Sequence, residues 1–169
     1  ETNNPDKCIV VPVVSSEKRP YIPTGFIDKN TISTNGNLII PNGDLFLFGQ
    51  LTSLMHMAWV RAVGGSLETR IRYSSVLCYN TFPFPNISQK QKDEITELVF
   101  AILDEREKHS QKTLAQLYDP DKMPEGLKKA HHNLDIAIEQ CYRSKPFESD
   151  EERLEYLFKM YEEMSSKEV

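Results

Sequence analysis

Glu68, Arg70 and Arg72 stand at alternating positions in GSLETRIRYSS, residues 65–75. An extended chain puts residues two apart on one face. The row acid, base, base then faces one way, and Thr69, Ile71 and Tyr73 face the other. Such a row fills a core poorly and reads polar groups well. Arginine donates two hydrogen bonds to guanine O6 and N7, glutamate accepts from cytosine N4, and one C·G pair shows both edges in the major groove. Side chains about 7 Å apart along a strand can divide that pair between them. The same residues also fit a cross-strand or surface ion pair, which contributes little energy. Residue chemistry alone leaves both open.

No other constellation completes a chemistry. NTFPFP, starting at Asn80, has an asparagine ahead of aromatics and prolines. The loop that holds a target amino group in DNA amino-methyltransferases runs Asn-Pro-Pro-Tyr or Phe. Thr81 and Phe82 stand where two prolines belong, and no Gly-rich strand-to-helix turn for S-adenosylmethionine occurs. A strand leaving its sheet explains the prolines. Pro120-Asp121, then Glu125 and Lys128, resembles a metal-dependent nuclease pattern with one residue too many, and DPDKMPEG reads as an inter-helix turn. His131 and His132 on a helix divide into one partly packed and one solvated residue. His56, His109, His131 and His132 with Cys8, Cys78 and Cys141 lack the ligand spacings of zinc modules. The expectation is no metal and no catalytic residue in this chain.

The elements that must position the charged row can be read from pattern. Cys8–Val14, Ile22–Ile27 and Leu38–Ile40 are strand candidates, separated by the Asn/Thr/Ser-rich loop FIDKNTISTNGN. Asp44 after Pro41-Asn42-Gly43 caps a helix predicted to run to about Ala62, apolar nearly all round and therefore buried. Gly64-Gly65 stops it. From Asn86 the character changes. Ser88 with Gln91 makes a capping box ahead of Ile95, Leu98, Val99 and Ile102. A short helix spans Thr113–Tyr118, Pro124 opens another, and Ser149 with Glu152 caps the last. The predicted class is α+β: a small mixed sheet with one buried helix over 1–85, then an all-α helical domain over 86–169.

Bulk properties fit a soluble globular domain: 169 residues, 39% hydrophobic and 27% charged. No apolar run approaches the roughly 20 residues of a membrane span, so no membrane partner is expected. Three separated cysteines suggest reduced thiols and a cytoplasmic protein. The start, ETNNPDK, shows no signal peptide and runs straight into a strand-like segment, as a piece of a longer protein would. The net charge of −5 is uneven. Residues 1–85 carry seven Lys and Arg against six Asp and Glu, and the remainder thirteen against nineteen. Any contact with phosphate belongs to the first half. The acidic helical half supports an alternative: a protein-interaction module that never meets DNA.

The run MHMAWVRAVGGSLETRIRYSSVLCYNTFPFP resembles the target-recognition region of the MmeI-like family, single-chain restriction-modification enzymes that join a nuclease, an adenine methyltransferase and a recognition domain. VSSEKRPYIPTGFI, NLIIPNGDLFLFGQLTS, LYDPDKMPEGLKKAHHNLDIAIEQCY and FESDEERLEYLFKMYE extend the likeness over nearly the whole chain. The resemblance implies DNA sequence recognition for an adenine-N6 methyltransferase. Its base-specifying positions fall on Glu68 and Arg70. It implies backbone contact or local structure for Arg72, Tyr73 and Ser74, and phosphate contact for His56, Arg61, Lys18, Arg19 and Tyr21. It further implies double-stranded DNA and an intramolecular methyltransferase domain as partners. The S-adenosylmethionine site and any nuclease would lie upstream of Glu1.

Overall fold

The computed structural model describes residues 7–28 and 30–166; ETNNPD, Lys29 and the last three residues lie outside it. Four short strands, two helices, two more strands and then four further helices follow one another along the chain. β1 (Lys7–Pro12) is the centre of a three-stranded antiparallel sheet, between β3 (Gly25–Asp28) and β4 (Asn37–Pro41). β2 (Val14–Ser15), β6 (Arg70–Arg72) and β5 (Gly65–Leu67) make a second, in the order β2-β6-β5. The α+β class holds, with two antiparallel sheets where one mixed sheet was expected. The strand predicted over Cys8–Val14 divides at Val13 and so serves both sheets.

The expected single buried helix is also two. α1 (Leu45–Leu51) is capped by Asp44, whose carboxylate accepts from the Leu47 amide at 2.8 Å. α2 (Leu54–Val63) starts afresh at Ser53, whose hydroxyl accepts from the His56 amide and donates to the Gln50 carbonyl. Short polar side chains that bond their own backbone interrupt a helix that apolar content would continue. From α2 the chain passes through Gly64 into β5 of the second sheet. A π-helical turn, Ser75–Tyr79, follows β6.

The helical half follows its caps. Ser88 and Gln91 form the reciprocal capping box of α3 (Gln89–Glu107), and Thr113 with Gln116 that of α4 (Leu114–Leu117). Pro124 precedes α5 (Glu125–Tyr142), and Ser149 caps α6 (Asp150–Ser165). Ile95, Val99 and Ile102 of α3 and Leu127, Leu134 and Ile138 of α5 bury completely or nearly so, in one cluster with Ile9, Phe48 and Met55 from the first half. The two halves share one core.

They pack tightly at Gly49. A Cβ there would lie 2.9 Å from methyl carbons of both Ile95 and Val99. Gly49→Ala therefore sets a helix-propensity gain of about 1 kcal/mol against overpacking of about 1–3 kcal/mol. We expect net destabilisation, read as a lower urea midpoint at unchanged slope. A raised midpoint would mean that α1 and α3 separate without cost.

Candidate nucleic-acid interface

β5 and β6 pair in the register Gly65↔Arg72, Ser66↔Ile71 and Leu67↔Arg70, which leaves Glu68 and Thr69 as a two-residue loop. The predicted straight strand from Glu68 is thus a hairpin, with Glu68 at its tip. Two-residue hairpins need positive φ in the loop, normally supplied by Gly or Asn. Here Glu68 takes it, at φ 58°. A side chain in this region costs roughly 1 kcal/mol; the other non-glycine residue held there among the described residues is Asn42, at φ 55°.

The tip is charged and open. Arg70 Nη2 donates to Glu68 Oε2 at 2.9 Å, with the side chains 47% and 77% exposed. Within β6 the expected alternation survives: Ile71 turns inward against the core, while Arg70 and Arg72 point out. Arg72 makes no ion pair among the described residues. Gly65, its cross-strand partner, leaves it uncovered, and it lines an open cleft with Tyr73, Ser74 and Leu77. A second open cleft brings Arg61 and Arg70 together with Glu17.

The remaining candidates separate by burial. Lys18 is exposed. Arg61 bonds Asp150 of α6 at 3.3 Å and the Arg19 carbonyl at 3.1 Å, and Arg19 reaches the Ser15 hydroxyl and the Ala115 carbonyl. Both arginines thus brace elements together. Ser74 caps the π-helical turn through the Leu77 amide. Phosphate contact expected of His56 and Tyr21, and any backbone contact by Tyr73, give way to interior roles, because these side chains are 1%, 7% and 4% exposed and their polar atoms face protein. His56 Nε2 lies 2.9 Å from the Tyr73 hydroxyl, and Tyr21 donates to Asp135 Oδ2 at 2.5 Å.

Tyr21 belongs to a buried network with no sequence signal beyond isolated polar residues on apolar helix faces. Asp135 Oδ1 accepts from the Leu54 amide at 2.7 Å, and so sits at the N-terminus of α2, where a carboxylate is favoured. His131 stacks on Tyr21 with ring centroids 4.1 Å apart. Arg106 donates to the Tyr118 oxygen from Nε and Nη2, and to the Thr24 carbonyl from Nη1. That leaves the Tyr118 hydroxyl proton for His131 Nε2, 2.6 Å away. As expected, the adjacent histidines divide: His131 is fully buried and His132 exposed. Burial holds His56 and His131 down at about 3, and pushes the Asp135 carboxyl up to about 7.

Comparison with known proteins adds the following. The family described as "MmeI, target recognition domain" matches residues 1–86, and "MmeI, C-terminal domain" matches 87–168. DNA methyltransferase A of Bacillus subtilis (strain 168) is 53% identical over 159 residues, which are 94% of this chain and 18% of that protein. A solved structure of the Type IIL restriction-modification enzyme MmeI in complex with DNA superposes with a TM-score of 0.92 at 44% identity, covering 97% of this chain and 22% of that one. The chain spans about a fifth of the length of these relatives.

Two measurements follow from this geometry. Glu68→Gly removes the strained φ, so the melting temperature should hold or rise while any DNA discrimination at the tip is lost; a clear fall would show that the side chain stabilises the hairpin. The buried network sets a pH slope. Between about pH 5 and 6, unfolding lets His56 and His131 each take up most of a proton and makes Asp135 release one. Depressed histidines contribute stability above 6.5 that is lost as pH falls; the raised Asp135 contributes stability at low pH that is lost as pH rises toward 7. The net uptake is about one proton, so stability should rise by about 1.4 kcal/mol per pH unit between pH 5 and 6. Asp135→Asn should steepen that slope toward two protons, measured from urea midpoints.

Proposed function

The chain belongs to the MmeI family, as a target recognition domain joined to a C-terminal domain, and we propose that it supplies DNA sequence specificity to an adenine-N6 methyltransferase of a restriction-modification system. The observation that carries this is the hairpin tip: an exposed Glu68 held at positive φ beside an exposed Arg70, 2.9 Å apart, clear of the core. A glutamate and an arginine in contact match the cytosine N4 donor and the guanine O6 and N7 acceptors of one pair, and mismatch an A·T pair. On this reading each good base contact discriminates by about 1–3 kcal/mol. Exchanging a protein ion pair in water for two base contacts loses little, because the exposed pair itself is weak.

Arg72, the outward neighbour on β6, and Lys18 serve the DNA beside the pair. Arg61, Arg19 and Ser74 contribute mainly by fixing the frame, as their protein hydrogen bonds suggest. Tyr73 and His56 hold β6 from beneath. We place the boundary at Pro85, with 1–85 as the latter part of the recognition domain and 86–169 as the C-terminal helical domain. The helical half then packs the recognition hairpin against the parent's methyltransferase domain and acts with it in the cytoplasm.

S-adenosylmethionine would be held outside these residues. The seven glycines of the chain include one adjacent pair, Gly64-Gly65, and it leads from a helix into a strand. A cofactor turn runs the other way, from strand into helix. On this reading, methyl transfer belongs to other parts of the parent, in keeping with the departures from the asparagine loop at Thr81 and Phe82.

The test uses the intact parent carrying Glu68→Lys together with Arg70→Asp, with every methylated adenine mapped across a genome for both versions. The expected result is a methylated motif altered at one base pair with activity retained. An unchanged motif would leave Glu68 and Arg70 as a surface ion pair and sink the assignment.

A further inference from the structure

β4 is an unguarded sheet edge. It pairs with β1 on one side, and the order β3-β1-β4 leaves its other side without a strand among the described residues. A free edge presents a row of backbone donors and acceptors, which proteins blunt with lysine, bulges, brevity or a covering element. The opposite edge of this sheet is met by a helix: a Cβ at Gly25 of β3 would lie 3.3 Å from Leu114 of α4. The second sheet ends in β2, of two residues, and β5, of three. β4 has five residues, Asn37–Pro41, with no charge among them and a proline only at the end.

An apolar trough runs beside that edge. Leu38, Ile39 and Ile40 line a cleft together with Tyr73, Ser75 and Tyr79 of the segment after β6. The cleft that holds Arg72 and Leu77 shares Leu38, Tyr73 and Ser75 with it, so the two are continuous. The lips of the trough are exposed: Ile39 at 46%, Val76 at 64% and Leu77 at 47%. Single exposed apolar residues are ordinary, but a contiguous set around a groove marks a surface that another chain covers. Phosphate suits it badly, since the cleft along β4 is lined by no cation and Arg72 stands only in its extension. An extended apolar segment suits it well. Its backbone would continue the ladder at β4, and alternate side chains would enter the trough.

Effective concentration decides which polypeptide supplies that segment. The chain spans about a fifth of the length of the relatives it matches, and the family's C-terminal domain already matches residues 87–168. A segment tethered in the same polypeptide meets the edge at an effective concentration on the order of mM, whereas a second copy must come from bulk solution.

We propose that β4 takes a further strand from the part of the parent before Glu1, its apolar side chains seated between Ile39 and Leu77. This goes beyond the base-reading assignment and holds whether or not Glu68 and Arg70 read a base pair.

The experiment places the photo-cross-linker p-benzoylphenylalanine at Val76 and, separately, at Ile39 of the intact parent, and maps the cross-linked peptides by mass spectrometry. Both probes should join, within one chain, the same single segment from before Glu1. Ile39→Lys should lower the yield from Val76 severalfold, because a lysine on an edge opposes strand addition. Cross-links to a second copy, to DNA or only within residues 1–169 overturn the proposal, as does the absence of any cross-link. Two different upstream segments, or a Val76 yield indifferent to Ile39→Lys, likewise exclude an added strand. The methylated motif of the Glu68 and Arg70 exchange tests the base-reading assignment separately, so each reading can fail alone.

Discussion

The carboxyl group of Asp135 ties the two halves of the chain together. It lies on α5, in the helical half, yet both of its oxygens are used by the first half: one takes the Leu54 amide that begins α2, the other the Tyr21 hydroxyl. An amide at a helix start has no partner inside its own helix. One carboxyl therefore anchors the entry of α2 and the loop before β3 to the same point. Two residues further along α2, His56 meets Tyr73, which follows directly on Arg72. A continuous set of bonded groups thus runs from the C-terminal helices to the strand that carries the exposed arginines.

This arrangement explains why two regions matched by separate family descriptions pack as one body. α1 and α3 approach so closely at Gly49 that a methyl group would collide with Ile95 and Val99. Trp59 of α2, almost fully buried, packs at a tilt against Phe158 and Tyr161 of α6. A helical domain free to move against the recognition half would need a separable interface, and here the largest buried side chains come from both. The rigid frame suits a base reader, for which a small misplacement costs the hydrogen-bond geometry on which discrimination rests.

Polar groups divide sharply by task. Several in the interior find partners inside the protein: His56 with Tyr73, His131 with Tyr118, and Arg106 held by two acceptors and the faces of Phe48 and Tyr118, while the buried Gln50 amide finds none among the described residues. Those at the hairpin tip are charged, solvated and in contact chiefly with each other. Desolvation makes a buried charge too costly to leave available, whereas an exposed pair can exchange partners at small cost. The same physics that removes Tyr21 and His56 from any DNA contact leaves Glu68, Arg70 and Arg72 free to make one.

The sequence by itself determined the α+β class, the helix starts at Asp44, Ser88, Thr113 and Ser149, and the outward face of Arg70 and Arg72. Each depends on neighbours within a few residues: a capping side chain, an apolar period, an alternation of two. The MmeI likeness was legible too, because long strings of residues carry it. Only the tertiary structure decided that Glu68 is a turn residue, since the hairpin register is set by pairing across strands. It alone decided that the apolar run after Asp44 breaks at Ser53, where Asp135, 81 positions beyond Leu54, receives the new helix. Burial of Tyr21, His56 and Tyr73 was likewise hidden. Their polar atoms suit water and DNA as well as they suit protein, and only distant partners settle which they meet.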